Sequence, residues 1–254
     1  MRLLTAGLLV QIQPEEPPAA TSGSPLFFAP ILFPTTLIAM SDPPFDFARY
    51  FDRVQHTALW HRMQLGMAAY GGVVAGQRIL DVGTGPGRLI YELQQDGVQA
   101  IGVDASCYVL DRLRARYPSA PLAVGLAERL PFTADSFDAA LAGNILFFLP
   151  NPLAALVEMV RVVRPGGMIV NWSPSERMSV SAAQGYVTRH PELDPFEARH
   201  LVNWAQVAES HRRWTPDELE WYFTTAHLTA FDTETTLDGL ARFTRGRVPL
   251  QSAQ

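Results

Sequence analysis

The sequence predicts an α/β fold: a doubly wound, mostly parallel sheet that is closed by a C-terminal antiparallel β-hairpin. Between residues 78 and 172, short β-prone apolar runs alternate with segments of helical periodicity, as in a parallel sheet covered by helices on both faces. A glycine-rich turn at 83–87 follows the first of these runs. Near the end of the chain, Asp238-Gly239 joins two β-prone segments, 228–237 and 240–247, which is a strong hairpin signal.

The individual elements follow from periodicity and from start and stop signals. Apolar residues at three- and four-residue spacing from 45 to about 70 predict one or two amphipathic helices. The central block predicts strands near 78–82, 98–103, 121–125, 137–142 and 167–172, and helices from about 87, at about 106–116 and at about 152–164. Asn151 and Pro152 are a typical N-cap and first helical residue, and Pro165-Gly166-Gly167 is predicted to stop that last helix.

Residues 173–214 interrupt the alternation and are expected to fold as helices over the edge of the sheet, as a substrate-lid insertion. Insertions after the carboxyl end of a strand are where such sheets bind ligands. This segment carries Trp204 and three histidines, namely His190, His200 and His211. A capping box at 215–218 then predicts a short helix to about residue 226.

The glycine turn predicts a nucleotide-binding site of a particular kind. Its pattern is Asp81-x-Gly83-x-Gly85-x-Gly87, with an acid before the first glycine, and it differs from the G-x-G-x-x-G of dinucleotide sites. A carboxylate there would repel a pyrophosphate but suits an ammonium group. Asp104, about 20 residues further on, ends the second predicted strand, where an acid can accept hydrogen bonds from ribose hydroxyls. NAD-binding folds share this second feature, so it does not discriminate.

Four later segments, at 123–132, 136–141, 144–150 and 161–167, stand in an order and at separations that complete a family pattern. With the glycine turn they resemble the class I S-adenosylmethionine-dependent methyltransferases, which are Rossmann-like, and in particular the small-molecule branch that includes the ubiquinone and menaquinone biosynthesis methyltransferases. The resemblance covers roughly residues 78–172. Two positions depart from the pattern: Leu126 stands where an acid usually receives the adenine amino group, and Phe148 stands where a histidine is common.

The resemblance implies S-adenosylmethionine as cofactor and methyl transfer to a small-molecule acceptor. It assigns Asp81 to the amino group, Asp104 to the ribose, Ala127 to adenine and Asn144 to the methionine end. Backbone approach to the cofactor is assigned to Gly83, Gly85 and Gly87. No catalytic residue is identified, because each lid histidine is equally well read as a surface or helix-end residue. Tyr50 and Phe51 of the N-terminal helices are candidates for touching the ligand.

Composition limits the other function classes. A net charge of −5 over 254 residues argues against a nucleic-acid partner. The single cysteine and the lack of zinc-type spacing favour a reducing cytoplasm and no metal. No apolar stretch is long enough to span a bilayer. We expect residues 1–39 to be disordered or part of an over-extended reading frame, and 40–254 to form a single methyltransferase domain. Oligomeric state is not predicted.

Two alternatives remain open from the sequence. A non-catalytic S-adenosylmethionine-binding protein is motivated by the departures at Leu126 and Phe148. A nicotinamide-dependent oxidoreductase is disfavoured by the glycine spacing and by the terminal hairpin, since a dinucleotide-binding sheet would continue parallel.

Overall fold

A computed structural model describes residues 46–250, and within them the chain forms a seven-stranded sheet in the order β3-β2-β1-β4-β5-β7-β6. The first five strands in this order pair in parallel, whereas β7 is antiparallel to both β5 and β6. The predicted fold class is confirmed. The strands are Arg78–Val82 (β1), Gln99–Asp104 (β2), Leu122–Val124 (β3), Phe137–Gly143 (β4), Val163–Pro174 (β5), Thr229–Thr236 (β6) and Ala241–Arg247 (β7).

Helices cover both faces and the carboxyl ends of the parallel strands. They are Phe47–Gln55 (α1), Ala58–Tyr70 (α2), Arg88–Gln95 (α3), Cys107–Arg116 (α4), Pro152–Val162 (α5), Val180–Arg189 (α6), Pro195–Glu209 (α7) and Pro216–Thr225 (α8), with a short 3-10 helix at Leu146–Phe148. No helix within 46–250 is long and apolar enough to cross a membrane.

The central strands are buried on both faces, which explains their unbroken apolar runs. In β1, Ile79 and Leu80 have no exposed surface, and in β4 the same holds for Ala140 and Leu141. Because the strands are parallel and in register, the residues that end β1 and β2 meet at one edge of the sheet: Asp81 pairs with Gly102, two positions before Asp104. The polar strand-end residues that the sequence singled out are thereby brought together.

Most helix starts are fixed by side-chain caps of the kind the sequence predicted. Asn151 accepts a hydrogen bond from the Ala154 N–H at 3.0 Å, with Pro152 at the first helical position. The capping box at the start of α8 is also present, where Thr215 and Glu218 each bond the backbone of the other. Both predicted helix starts are confirmed.

The predicted end of α5 was wrong by two residues, because the chain leaves the helix before the Pro-Gly-Gly segment. The helix ends at Val162, and Val163 already pairs with Phe137 of β4. The register then jumps to Met168 opposite Ala139. A residue before proline is disfavoured in the helical region, and proline has no N–H for a ladder. Pro165-Gly166-Gly167 therefore forms an irregular step inside β5 and not a loop before it.

The expectation for residues 1–39 lies outside the described residues. The N-terminal prediction of one or two helices is confirmed as two, α1 and α2. The lid segment, residues 173–214, contains α6 and α7 as expected.

Candidate functional site

One large cavity lies at the carboxyl ends of β1, β2, β4 and β5, beneath helices α1, α2 and α7. Its volume is about 1080 Å³ including the part open to solvent, at the upper end of the range for small-molecule pockets. This is the edge of an open α/β sheet at which ligands bind. None of the described residues that line the cavity is a lysine or an arginine.

The glycine turn forms the floor of the cavity between β1 and α3. Gly83 and Gly85 line the cavity, whereas Gly87 lies outside the lining. Gly87 instead serves packing: its φ is +77°, and a Cβ there would stand 2.2 Å from Leu113 Cδ1. Only glycine lets the chain enter α3 this close to α4.

Two buried carboxylates face this one cavity. Asp104 accepts hydrogen bonds from the backbone N–H of Gly85 at 3.0 Å and of Ser106 at 2.9 Å. Burial raises the pKa of Asp104, and these backbone bonds act against the rise. Burial, and secondarily the charge of Asp104, raises the pKa of Asp81 to about 7. A cation placed between them would reverse both effects.

Asn144 is held in an unusual backbone conformation at the end of β4. Its φ is +61°, and its N–H donates to the Trp172 carbonyl at 2.6 Å. Its Oδ1 is buried with no partner among the described residues, and the residue lines the cavity. The side chain is therefore available to a ligand.

Unpartnered polar atoms converge on the cavity. A buried polar atom without a hydrogen bond costs roughly 1–3 kcal/mol, so such atoms are rare in finished cores. Of the buried side-chain atoms without a partner in the described part of the chain, five belong to residues that line this cavity: Gln64, Asn144, Trp172, His200 and Trp204. Their concentration in one place indicates a binding site for a polar ligand.

The far half of the cavity is aromatic. The Trp60 ring lies 4.6 Å from that of Trp172 and 5.3 Å from that of Trp204, measured between centroids. Phe148 and Tyr50 also line this region. The cavity thus has an acidic half over β1 and β2 and an apolar, flat-walled half over β5.

Ala127 lies away from the cavity. It belongs to the turn between Leu126 and Arg129, outside the lining, and packs against the core. The Leu126 side chain beside it is 48% exposed. Of the seven residues predicted to bind the cofactor, five line the cavity, and Gly87 and Ala127 do not.

The structure separates the three lid histidines. His200 lines the cavity, whereas His190 pairs with Glu192 at 2.8 Å and His211 bonds the Val207 carbonyl at 2.8 Å, both outside the lining. Burial lowers the pKa of His200 to about 3. Only one of the three can therefore touch a ligand in this cavity.

Sequence reasoning missed Gln55, which fastens α1 to the glycine turn. Its Nε2 donates to the Thr84 carbonyl at 3.2 Å, and its Oε1 accepts from the Arg88 N–H at 3.0 Å. Tyr50 and Phe51, named as candidates, line the cavity from the same helix. The available signal was a glutamine one turn beyond Phe51 on an apolar stripe, since a polar residue on a buried face needs a partner.

Within residues 46–250 no group of three or more histidine, cysteine, aspartate or glutamate side chains is placed to hold a metal ion.

Comparison with known proteins gives concordant matches. A family model described as a methyltransferase domain matches residues 80–171, a region that contains Asp81, Asp104 and Asn144. The chain is 32% identical over 168 residues to a demethylmenaquinone methyltransferase of Beutenbergia cavernae, covering 63% of this chain and 67% of that protein. It is 33% identical over 140 residues to a demethylmenaquinone methyltransferase of Renibacterium salmoninarum, covering 54% of this chain but only 58% of that relative.

Among solved structures, the fold resembles that of phosphoethanolamine N-methyltransferase 2 from Haemonchus contortus in complex with S-adenosyl-L-methionine. The TM-score is 0.56 at 15% identity, over 81% of this chain and 60% of that one. At this identity the likeness concerns the fold alone.

Proposed function

This chain belongs to the class I S-adenosylmethionine-dependent methyltransferases, and we propose that its acceptor is a small, uncharged molecule with a flat ring. The observation that carries the proposal is the division of one cavity into a half with two buried carboxylates and a half walled by tryptophans, with no lysine or arginine among the described lining residues.

The acidic half fits the cofactor. S-adenosylmethionine supplies an activated methyl group on a sulfonium and carries an ammonium but no phosphate. Asp81 would pair with the ammonium, and this pairing would favour the ionised carboxylate that burial disfavours. Asp104 keeps acceptor capacity for ribose hydroxyls beside its two backbone bonds. The free Oδ1 of Asn144 suits the methionine end.

The two glycines that line the cavity allow close backbone approach, and Gly87 supports them by fixing the entry into α3. Since Ala127 lies outside the lining, the adenine ring is assigned to the apolar wall beside Asp104, to which Val109 contributes. That wall needs no acid at Leu126.

The aromatic half fits the acceptor. A carboxylate or phosphate on the acceptor would meet no lysine or arginine from the described part of the lining, and burying it unpaired would cost several kcal/mol. A neutral ring can instead pack against Trp60, Trp172 and Trp204. The relatives named demethylmenaquinone methyltransferases agree with a quinone-like ring.

The main tasks of the protein in the transfer are alignment and exclusion of water, because the methyl group is already activated. The lid segment closes the cavity through α7, and Glu197 of that helix accepts a hydrogen bond from the Leu59 N–H of α2 at 2.7 Å. This bond joins the lid to the N-terminal helices and holds the aromatic walls together.

Calorimetry with S-adenosylhomocysteine tests the cofactor half. We expect binding by the wild type and binding weaker by about 10- to 100-fold in Asp104→Asn, because a charged acceptor of hydrogen bonds is lost. Asp111→Asn is the matched control: this aspartate is exposed on α4 and pairs only with Arg114 among the described residues. Equal affinity in all three proteins would contradict the assignment.

The acceptor half is tested with two rings that differ in charge. In the complex with S-adenosylhomocysteine, quenching of tryptophan fluorescence should report binding of α-naphthol and much weaker binding of hydroxynaphthoic acid. Tighter binding of the acid would overturn the proposal of an uncharged acceptor.

A further inference from the structure

His200 lies in the acceptor half of the cavity, with one ring nitrogen in a hydrogen bond and the other without a partner among the described residues. The side chain is buried, at 8% exposure for the residue. Its Nδ1 lies 2.7 Å from the Tyr50 hydroxyl. Its Nε2 is buried without a partner among the described residues, and the residue lines the cavity. Such an atom is explained if a ligand completes its hydrogen bond.

The contact with Tyr50 favours one position for the proton of His200. Asn203, on the same helix as His200, donates its Nδ2 to the Tyr50 hydroxyl oxygen at 3.5 Å. That bond leaves the hydroxyl its own hydrogen to donate, and the 2.7 Å separation from His200 Nδ1 suits an O–H···N hydrogen bond. Burial raises the pKa of Tyr50, which keeps that hydrogen on the phenol. With Nδ1 accepting, a neutral imidazole carries its hydrogen on Nε2.

The surroundings keep the imidazole neutral. The ring packs edge-on against Trp60 at 4.8 Å between centroids and stacks on Phe196 at 6.4 Å. Among the described residues, no carboxylate lies within ion-pairing distance of His200, whereas Arg53 covers the Phe196 ring at 3.9 Å. Burial lowers the pKa of His200 to about 3. A ring in this environment donates through Nε2–H and is a poor general base.

We infer that His200 binds an oxygen of the methyl acceptor through Nε2–H, and that Tyr50 and Asn203 are positioning residues which fix the imidazole in the donor tautomer. The inference rests on the proposed function and adds the specificity element: the acceptor carries a carbonyl or phenol oxygen on its ring. A site built to donate a hydrogen bond rejects an analogue that lacks the acceptor atom, since the donor is then left buried and unpaired.

The test uses the full-length protein saturated with S-adenosylhomocysteine and two probes of nearly equal shape, α-tetralone and tetralin. Tetralone has a carbonyl oxygen that can only accept, and tetralin has no polar atom. We expect tetralone to bind about 3- to 10-fold more tightly, as for one neutral hydrogen bond. The inference is overturned if tetralone binds no more tightly than tetralin, or if neither probe binds. A His200 ring with a lone pair on Nε2 in place of the hydrogen would give no preference for tetralone.

Variants separate a donor role from mere packing. His200→Leu should bring the affinity ratio of the two probes to about one, and His200→Gln, whose amide can donate from a similar position, should restore part of the preference. Tyr50→Phe should reduce the ratio because the tautomer is no longer fixed. His227→Leu is the matched control, since this histidine is exposed in the turn between α8 and β6. Loss of the ratio in His227→Leu, or its persistence in His200→Leu, would contradict the assignment.

Two further readouts keep the outcomes distinct. Long-range proton–nitrogen spectra of histidine-labelled protein should show His200 protonated at Nε2, and a hydrogen on Nδ1 would refute the tautomer. Calorimetry of S-adenosylhomocysteine reports on the proposed function independently. If the cofactor product fails to bind, the proposed function fails; if it binds and the probe ratio is insensitive to His200, only this inference fails.

Discussion

Asp81 should make the cofactor-free protein less stable as the pH rises. The side chain is 4% exposed, and burial, with a further contribution from Asp104, raises its pKa from 3.8 to about 7. The folded state therefore holds the proton more tightly than the unfolded chain does. The stabilisation from this proton is complete below about pH 3.8 and is lost as the pH rises to 7, because the ionised carboxylate is then buried without a cation.

The magnitude follows from the two pKa values. The difference between 3.8 and about 7 corresponds to roughly 4 kcal/mol at about 1.36 kcal/mol per pH unit. Part of this is already lost at about pH 5, so between about pH 5 and 8 the remaining loss is roughly 2–3 kcal/mol. Asn at this position has nearly the same shape and no charge, so Asp81→Asn should lack that loss.

The measurement is urea unfolding of both proteins without cofactor at about pH 5 and 8. The free energy of unfolding of Asp81→Asn relative to the wild type should rise by roughly 2–3 kcal/mol between these conditions. Asp111→Asn, which changes an exposed aspartate, should show no such rise. A relative stability that is the same at both pH values would refute the argument that the ionised Asp81 is buried without a cation in the free protein.

The same carboxylate predicts the pH dependence of cofactor binding. Asp81 must be ionised to pair with an ammonium, so the affinity for S-adenosylhomocysteine should fall about tenfold from about pH 8 to 6, as expected for a group titrating near 7. In Asp81→Asn the affinity should be lower and should not show this step. An equally steep fall in the variant would assign the titration to another group.

Two further substitutions test how the walls of the site are built. Gly87→Ala adds a Cβ 2.2 Å from a leucine side chain of α4, at a position with left-handed backbone conformation. Urea unfolding should show this variant less stable than Gly72→Ala by about 1–3 kcal/mol, because Gly72 also has a positive φ, +70°, but has open space around it. Equal losses of stability in the two variants would contradict the packing role of Gly87. Glu197→Ala leaves the buried Leu59 N–H without its acceptor and should lower the free energy of unfolding by about 1–3 kcal/mol. Glu209→Ala removes an exposed acceptor on the same helix and should lower it by less. A larger loss in Glu209→Ala would show that the hydrogen bond between α7 and α2 is unimportant for stability.

Features that depend on local chemistry could be predicted from the sequence. The strand at Arg78–Val82 was predicted at its exact bounds, and the cap at Asn151 and the terminal hairpin followed from residue types that allow few alternatives. The end of α5 was missed because the preference of Val163 for pairing with β4 is a tertiary effect. Local residue propensity alone predicts that the helix ends at Pro165-Gly166-Gly167.

The site was predictable where it is built on the sheet and much less so where it is built by helices. Asp81 and Asp104 end adjacent parallel strands, so the topology alone brings them together. By contrast, the choice of His200 over His190 depends on how α7 is rotated on its neighbours, which the sequence does not reveal. The roles of Gln55 and Gly87 depend in the same way on the packing of α1 and α4.

The groups that prepare the cavity for its ligands make the ligand-free protein less stable, and the cavity lining therefore differs from an ordinary core. A buried carboxylate with a raised pKa, together with unpartnered polar atoms on Asn144 and His200, would be removed by selection for stability alone. These groups are partnered only if a cation, polar oxygens and a ring occupy the two halves. Because a ligand that binds only the folded state stabilises it by mass action, S-adenosylhomocysteine should raise the unfolding temperature of the wild type more than that of Asp81→Asn. Cofactor binding would therefore supply partners that buried groups of the cavity lack in the free protein.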